Sequence, residues 1–163
     1  MNSGARIPVD YQLPLKLALF KRFSSLGAFL AENLNLFAWG TSVFGVKRAL
    51  SPAARIGFLA PYPKAGDRLA IAKLVEDIPL NPDHPSFDYL RKTDQALDDL
   101  FRQKPLNLIW GLGDFVFNRR VFVDWRNRFP KAPFLALPEA GHYLMEDETR
   151  KVCGFVRQSL SGV

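Results

Sequence analysis

Two short segments in the last third of the chain each end an apolar run with a side chain that can do acid–base chemistry. The first runs from Leu108 through Trp110 and a Gly-Leu-Gly turn to Asp114, and the second places His142 directly after Gly141. A carboxylate that holds a histidine ring in one tautomer leaves the other ring nitrogen free to act as a base. Together the two side chains would supply the acid and the base of a nucleophilic triad.

Each of these residues also has a plain structural explanation. Asp114 stands where an aspartate caps a helix or closes a turn, and its position alone does not decide between that role and a catalytic one. A lone histidine at a strand–helix turn, such as His142, is equally often structural. The joint interpretation is favoured because only one helix and one strand separate the two residues.

The elements that must position this pair are predicted to be two parallel strands. Residues 106–110 and 132–137 are nearly continuous apolar runs, typical of strands covered on both faces. An amphipathic helix over 119–129 separates them, and a closing helix over 143–160 follows. This order predicts parallel βαβ winding, in which functional groups collect beyond the carboxyl ends of the strands. Glu146 and Asp147 are expected at the start of the closing helix, where the helix dipole favours acidic residues.

The first hundred residues are predicted to form helices and loops. Apolar residues recur at helical spacing over 14–33, and a second apolar stretch covers 37–50. Ser51 followed by Pro52 predicts a helix start. Further helices are predicted over 67–76 and from 86 to 102, separated by a proline-rich loop in which His84 is expected to brace the chain.

The composition of the 163 residues is typical of one globular domain, with 48% hydrophobic and 23% charged residues. The net charge of +6 is concentrated in residues 1–73, which hold ten Lys/Arg and three Asp/Glu. A basic half can attract nucleic acid or an anionic membrane. Because no phosphate loop or nucleic-acid motif accompanies the charge, we expect a solvated helical surface and no nucleic-acid partner, with peripheral membrane contact less favoured.

Cys153 is the only cysteine, so a disulfide framework and a cysteine-based zinc site are excluded. We expect it to be buried in the closing helix as a small hydrophobic residue. The sequence shows no signal peptide and no apolar run of membrane-spanning length, so the cytoplasm is the expected location. Neither a metal nor another cofactor is expected, because no cluster of metal ligands occurs.

The segments 110–117, 129–130 and 137–147 resemble the C-terminal part of α/β-hydrolases, and within that superfamily the haloalkane-dehalogenase-like branch. Residues 1–3, 77–80 and 84–86 are especially similar to the β-lactone decarboxylases of long-chain olefin biosynthesis. The resemblance implies an α/β fold class: a partial α/β-hydrolase fold, with a helical cap followed by the C-terminal parallel strand–helix–strand–helix segment.

The resemblance also implies a role for particular residues. Asp114 corresponds to the acid and His142 to the base. Phe37, Trp39 and Phe44 are candidate walls of a pocket for a hydrophobic substrate, although single aromatic residues in a helical region are otherwise core residues. The implied division of the chain is an entry from the missing sheet half (1–13), the helical cap with connecting helices (14–103), and the C-terminal part of the hydrolase core (104–163).

The nucleophile of that family has no counterpart in the chain. No Gly-x-Ser-x-Gly or Gly-x-Asp-x-Gly pattern occurs, and the family's nucleophile elbow and oxyanion loop lie upstream of the cap. The resemblance therefore implies a fragment of a hydrolase-type enzyme with an Asp nucleophile, of the β-lactone decarboxylase or haloalkane dehalogenase type, and this fragment alone is expected to be inactive. The alternatives are a fragment of a Ser-nucleophile esterase and a non-catalytic remnant or assembly partner.

Two strands of the buried type without further neighbours are also a liability. Their exposed edges and faces predict poor solubility or self-association, unless a separate N-terminal half completes the sheet.

Overall fold

The computed structural model describes residues 29, 32–79 and 82–161, which form two compact units. The sheet unit comprises residues 46–48 and 89–161, and the helical unit comprises the other described residues. Most of the helix predicted over 14–33 and the entry segment 1–13 lie outside the described residues. The division of the chain into entry, cap and core stays a prediction.

The helical unit is built from short helices, and its best-defined start is the one predicted at Ser51. The Ser51 side chain accepts a hydrogen bond from the backbone N–H of Ala54 at 3.1 Å, and Pro52 occupies the first helical turn. This is the expected N-cap geometry. The elements are α1 (Leu36–Phe44), α2 (Pro52–Leu59), a 3-10 turn (Gly66–Arg68) and α3 (Leu69–Glu76).

His84 braces its loop, as predicted. Its Nδ1 accepts a hydrogen bond from the backbone N–H of Ser86 at 3.2 Å, and the Ser86 hydroxyl donates to Asp77 at 2.6 Å. The helix that follows begins in the helical unit and continues in the sheet unit as α4 (Phe87–Gln103).

The sheet unit contains the predicted strand–helix–strand order. Its elements are β1 (Leu108–Gly111), α5 (Arg119–Arg128), β2 (Phe134–Leu137), α6 (Leu144–Asp147) and α7 (Thr149–Ser161). The two strands are parallel, with Leu108 opposite Phe134 and Gly111 opposite Leu137. The parallel pairing inferred from the apolar runs is therefore confirmed.

Apolar side chains cover both faces of the strand pair, because successive residues of a strand point to opposite sides. Trp110, only 1% exposed, packs on one face with α4 and α5 residues, among them Trp125. Ile109 packs on the other face with Leu137 and with Val152 of α7. The prediction of a strand buried on both faces is confirmed for β1. It is wrong for most of β2, where Phe134 is exposed and only Leu137 is buried, because in the described ranges β2 pairs with β1 alone.

Arg128 at the end of α5 ties that helix to α4. Its Nε donates to Asp98 Oδ1 at 2.7 Å, and its guanidinium also bonds the carboxylate and the carbonyl oxygen of Asp94. The hydrogen bond to Asp98 is the largest cause that raises the pKa of Arg128, and Asp94 adds to it against the opposing effect of burial. The cation is therefore held by two carboxylates one helical turn apart.

Two predictions about the closing helix are wrong. The single helix expected over 143–160 is interrupted at Glu148, where a φ of −138° ends α6 before α7 begins at Thr149. Cys153 is exposed rather than buried. The inward face of α7 is centred on Val152, and the next residue along a helix points about 100° away from it.

In the ranges that the structure describes, no helix has both the length and the apolar character needed to cross a membrane. The cytoplasmic location stays a prediction.

The backbone around Gly111 leaves no room for a side chain, and this leads to a prediction about stability. A Cβ on Gly111 would lie 2.3 Å from the carbonyl oxygen of Gly141 and 2.8 Å from that of Ala140. We expect Gly111→Ala to lower the free energy of unfolding by about 1–3 kcal/mol, because backbone atoms must move to admit the methyl group. Denaturant titration followed by circular dichroism measures the change.

Gly154→Ala in α7 is the matched control for this prediction. No atom lies within 4 Å of a Cβ at that position. Alanine is the better helix former, so the control is expected to raise the free energy of unfolding by about 0.5–1 kcal/mol. A shift of the same sign in both variants would contradict this account of Gly111.

Candidate active site

The carboxyl ends of the two parallel strands bring Asp114 and His142 into contact. Gly111 and Leu137 are paired at the strand ends, so the turns that carry the two side chains leave the sheet at the same edge. His142 Nδ1 lies 2.9 Å from Asp114 Oδ2. A carboxylate only accepts hydrogen bonds, so this contact requires the proton on Nδ1. In the neutral ring, Nε2 is then left as the basic nitrogen.

The turn that carries Asp114 is pinned to the other strand through its backbone. The N–H of Leu112 donates to the carbonyl of Leu137 at 2.9 Å, and the N–H of Gly113 donates to the carbonyl of Ala140 at the same distance. Both acceptors belong to the end of β2 and the turn before His142. Asp114 and His142 are therefore held by segments that hydrogen-bond to each other.

Asp114 makes a turn contact and a contact with His142 at the same time. Its Oδ1 accepts the backbone N–H of Val116 at 2.7 Å, the bond expected of a turn aspartate, while its Oδ2 contacts His142. The same carboxylate thus shapes its own turn and orients the imidazole.

The two partners differ in their access to solvent. The side chain of Asp114 is fully buried, whereas that of His142 is 30% exposed. A buried carboxylate loses its hydration, and hydrogen bonds must replace it. The exposed part of the imidazole can still meet a substrate or a water molecule, which is the division of labour that an acid–base pair needs.

The rings of two aromatic residues lie beside the imidazole, and Trp110 holds the backbone of one of them. The rings of Phe117 and Tyr143 lie 5.7 Å and 5.5 Å from that of His142, measured between centroids. Trp110, expected only as a strand-end residue, donates its indole N–H to the carbonyl of Phe117 at 2.7 Å. The available signal was that a buried tryptophan needs an acceptor for its N–H.

Asp147 makes contacts that sequence reasoning missed. It lies in the first turn of a helix, as predicted, but that helix is the single turn α6 and not a continuous closing helix. It is 5% exposed, and its Oδ2 accepts the backbone N–H of Gly141 at 2.8 Å. Its oxygens also accept the backbone N–H groups of Lys47 at 2.9 Å and 3.0 Å and of Arg48 at 2.8 Å.

Phe37, Trp39 and Phe44 lie on α1 of the helical unit. The buried residues of that helix are Ala38 and Ser42, while Trp39 is 47% and Phe44 50% exposed. The alternative that they are core residues is therefore wrong for Trp39 and Phe44. Their assignment to a pocket wall stays a prediction.

Within the described part of the chain, no group of three or more His, Cys, Asp or Glu side chains is arranged to hold a metal ion. A reaction without metal or other cofactor stays a prediction from the sequence.

Comparison with known proteins relates the sequence to one kind of enzyme. No protein-family model matches it. The cis-3-alkyl-4-alkyloxetan-2-one decarboxylase of Xanthomonas campestris pv. campestris is 29% identical over 154 residues, which are 94% of this chain and 51% of that protein. The enzyme of the same name from Shewanella oneidensis is 31% identical over 163 residues, which are 99% of this chain and 51% of that protein. The chain spans about half the length of the curated relatives it matches.

Solved structures share the fold. The haloalkane dehalogenase DatA from Agrobacterium tumefaciens is similar with a TM-score of 0.75 at 15% identity, over 91% of this chain and 52% of that one. An α/β-hydrolase fold protein from Burkholderia ambifaria gives a TM-score of 0.69 at 15% identity, over 92% and 53% of the two chains. The partial α/β-hydrolase fold expected from the sequence is confirmed.

One classification follows from the parallel strand pair, the two turns at its carboxyl edge and these similarities. The chain has part of the α/β-hydrolase fold, and its sequence is similar to those of the two oxetan-2-one decarboxylases.

Proposed function

We propose that this chain carries the acid and the base of an enzyme that acts on a hydrophobic substrate, and that residues outside the chain supply the nucleophile. The observation that carries the proposal is the 2.9 Å contact between His142 Nδ1 and the fully buried carboxylate of Asp114. A buried carboxylate bonded to one ring nitrogen fixes the tautomer and stabilises the imidazolium that forms when the other nitrogen takes a proton.

The chemistry assigned to the pair follows from this arrangement. An Asp carboxylate, as in the haloalkane-dehalogenase-like branch, attacks the substrate carbon that bears the leaving group. With a β-lactone, a C–O bond to the Asp forms as the ring C–O bond breaks, and the ring oxygen becomes part of a substrate carboxylate. Cleavage of the C–C bond to that carboxylate then releases CO2, forms the alkene and expels the Asp carboxylate. His142 delivers a proton through Nε2 to the departing ring oxygen and takes it back before CO2 leaves, so no net proton is consumed. Asp114 stays ionised throughout and holds the imidazole ring.

The substrate class we propose is an alkyl-substituted β-lactone rather than a haloalkane. The support is the sequence similarity: the two decarboxylases match at 29% and 31% identity, whereas the dehalogenase DatA matches at 15%. Those relatives are decarboxylases of cis-3-alkyl-4-alkyloxetan-2-ones by name, and such a substrate is apolar. A cytoplasmic role in olefin biosynthesis is the corresponding proposal.

A hybrid enzyme tests this function. The segment of the Xanthomonas campestris decarboxylase that matches this chain is replaced by the chain, so that the rest of that enzyme supplies the nucleophile. Release of CO2 from a cis-3,4-dialkyl β-lactone is the measured rate. We expect an active hybrid, a loss of about 10⁴-fold on Asp114→Asn, and a loss of about 10⁶-fold on His142→Gln.

His84→Gln is the matched control, because His84 is the other histidine of the chain and braces a loop. It is expected to leave the rate of the hybrid unchanged. A hybrid that folds, as judged by circular dichroism, but releases no CO2 would contradict the proposal. So would a His142→Gln hybrid as fast as the unmodified one.

We further propose that the isolated chain associates with further copies of itself unless a separate N-terminal half completes the sheet. In the described ranges the sheet has only two strands, and Phe134 of β2 is 48% exposed. Unpaired strand edges are templates for association. Light scattering after size exclusion is expected to give a mass above that of the 18.4 kDa chain. A monodisperse monomer with cooperative thermal unfolding would refute this proposal.

A further inference from the structure

We infer that Asp147 is a positioning residue that holds the Asp114–His142 pair in register through the backbone on both sides of it. The inference rests on the proposed function, since it concerns the orientation of the proposed base. It assigns to a carboxylate outside the pair the task of fixing the turn from which His142 projects.

The carboxylate of Asp147 is buried and accepts several hydrogen bonds. In the described part of the chain, all of its hydrogen-bond partners are backbone N–H groups: those of Lys47, Arg48 and Gly141. Hydrogen bonds to an ionised acceptor are stronger than neutral ones, and burial strengthens them further. The cationic side chain of Arg48 pairs instead with Glu148 at 3.2 Å. The buried charge of Asp147 is therefore compensated by the main chain alone.

The N–H groups that bind Asp147 belong to two segments far apart in the sequence. Gly141 directly precedes His142, so the 2.8 Å bond to Asp147 Oδ2 fixes the peptide from which the imidazole projects. Lys47 and Arg48 lie about a hundred positions away in sequence, and their backbone N–H groups donate to the same carboxylate. One side chain thus joins the histidine turn to a distant segment.

The segment that contains Lys47 also contacts the turn that carries Asp114. A Cβ on Gly113 would lie 2.0 Å from Lys47 Cε, so the Lys47 side chain rests against the turn immediately before Asp114. The backbone N–H of the same lysine is held by Asp147. Asp147 therefore acts on the histidine side through Gly141 and on the aspartate side through Lys47.

The break between α6 and α7 lies directly after Asp147. Asp147 is the last residue of α6, and its buried carboxylate meets three backbone N–H groups there. A neutral Asn at this position keeps the shape but replaces one acceptor oxygen with an amide that only donates, so at least one N–H loses its partner.

The tautomer of His142 is the property that separates positioning from mere stabilisation. The chain has two histidines, so ¹⁵N-labelled histidine gives two ring systems in a magic-angle-spinning NMR spectrum, a method that tolerates self-association. The spectra are taken under alkaline conditions chosen to keep the rings uncharged. We expect the proton on Nδ1 in His142, which faces Asp114, and on Nε2 in His84, whose Nδ1 accepts the Ser86 N–H.

In the Asp147→Asn variant, we expect the Nδ1–H tautomer of His142 no longer to predominate. The ratio of the two His142 tautomers should approach the ratio in the Asp114→Asn variant. The double variant is expected to show no further change, because both substitutions break the same contact. Glu148→Gln is the matched control: it removes an adjacent buried carboxylate that bonds the side chains of Arg48 and Lys151, and it should leave the tautomer unchanged.

The outcomes distinguish this inference from the proposed function. An Asp147→Asn chain that folds and keeps the His142 tautomer of the unmodified chain would overturn the inference and leave the function standing. If Asp114→Asn also leaves the tautomer unchanged, the proposed acid–base pairing itself fails.

Hydrogen exchange of the unmodified chain decides the question if Asp147→Asn does not fold. Because one carboxylate holds the amides of Gly141, Lys47 and Arg48, they are expected to open together and to share one protection factor. A Gly141 amide that exchanges independently of the other two would overturn the inference.

Discussion

The two turns that follow the parallel strands approach each other so closely that no Cβ fits at Gly111. Its Cα faces the carbonyl oxygens of Ala140 and Gly141, and the N–H of Gly113 donates to that of Ala140 at 2.9 Å. This close approach places a carboxylate on one turn within hydrogen-bond distance of an imidazole on the other. Apolar layers on both faces hold the strands themselves. The site is therefore a consequence of backbone packing at a sheet edge, where parallel α/β folds generally place their functional groups.

Three buried acidic side chains lie around this edge, and each is compensated in a different way. Asp114 bonds the imidazole of His142 and a backbone N–H of its own turn. Asp147 bonds only main-chain N–H groups among the described residues, and Glu148 bonds the side chains of Arg48 and Lys151. Backbone donors cannot swing away as long side chains do, so they suit a carboxylate whose task is to fix geometry. The ion pairs of Glu148 involve partners that are more than half exposed, and such pairs contribute little stability.

Local pattern was sufficient for the strands and for the acid–base pair. Continuous apolar runs that end in glycine identify buried parallel strands, and parallel strands bring their carboxyl ends to one edge, so the proximity of Asp114 and His142 followed from topology. Local sequence pattern did not predict the features that involve contacts with residues far away in the sequence. The spacing over 143–160 is helical, yet the helix breaks after Asp147, whose carboxylate accepts hydrogen bonds from N–H groups about a hundred residues earlier. The acceptor of the Trp110 indole was missed for a different reason: it lies only seven residues further on, and the fold of the turn beyond the strand places it there. No sequence motif in these 163 residues indicates a nucleophile.

The DNA immediately upstream of the Met1 codon tests the central claim most directly, because the acid and base are useful only beside a nucleophile. The account predicts a coding sequence, in frame or after one frameshift, for a nucleophile elbow of the form Gly-x-Asp-x-Gly. A serine at the centre of that elbow would contradict the Asp nucleophile and make the enzyme an esterase. The absence of any such coding sequence would contradict the catalytic account and leave a binding or assembly role.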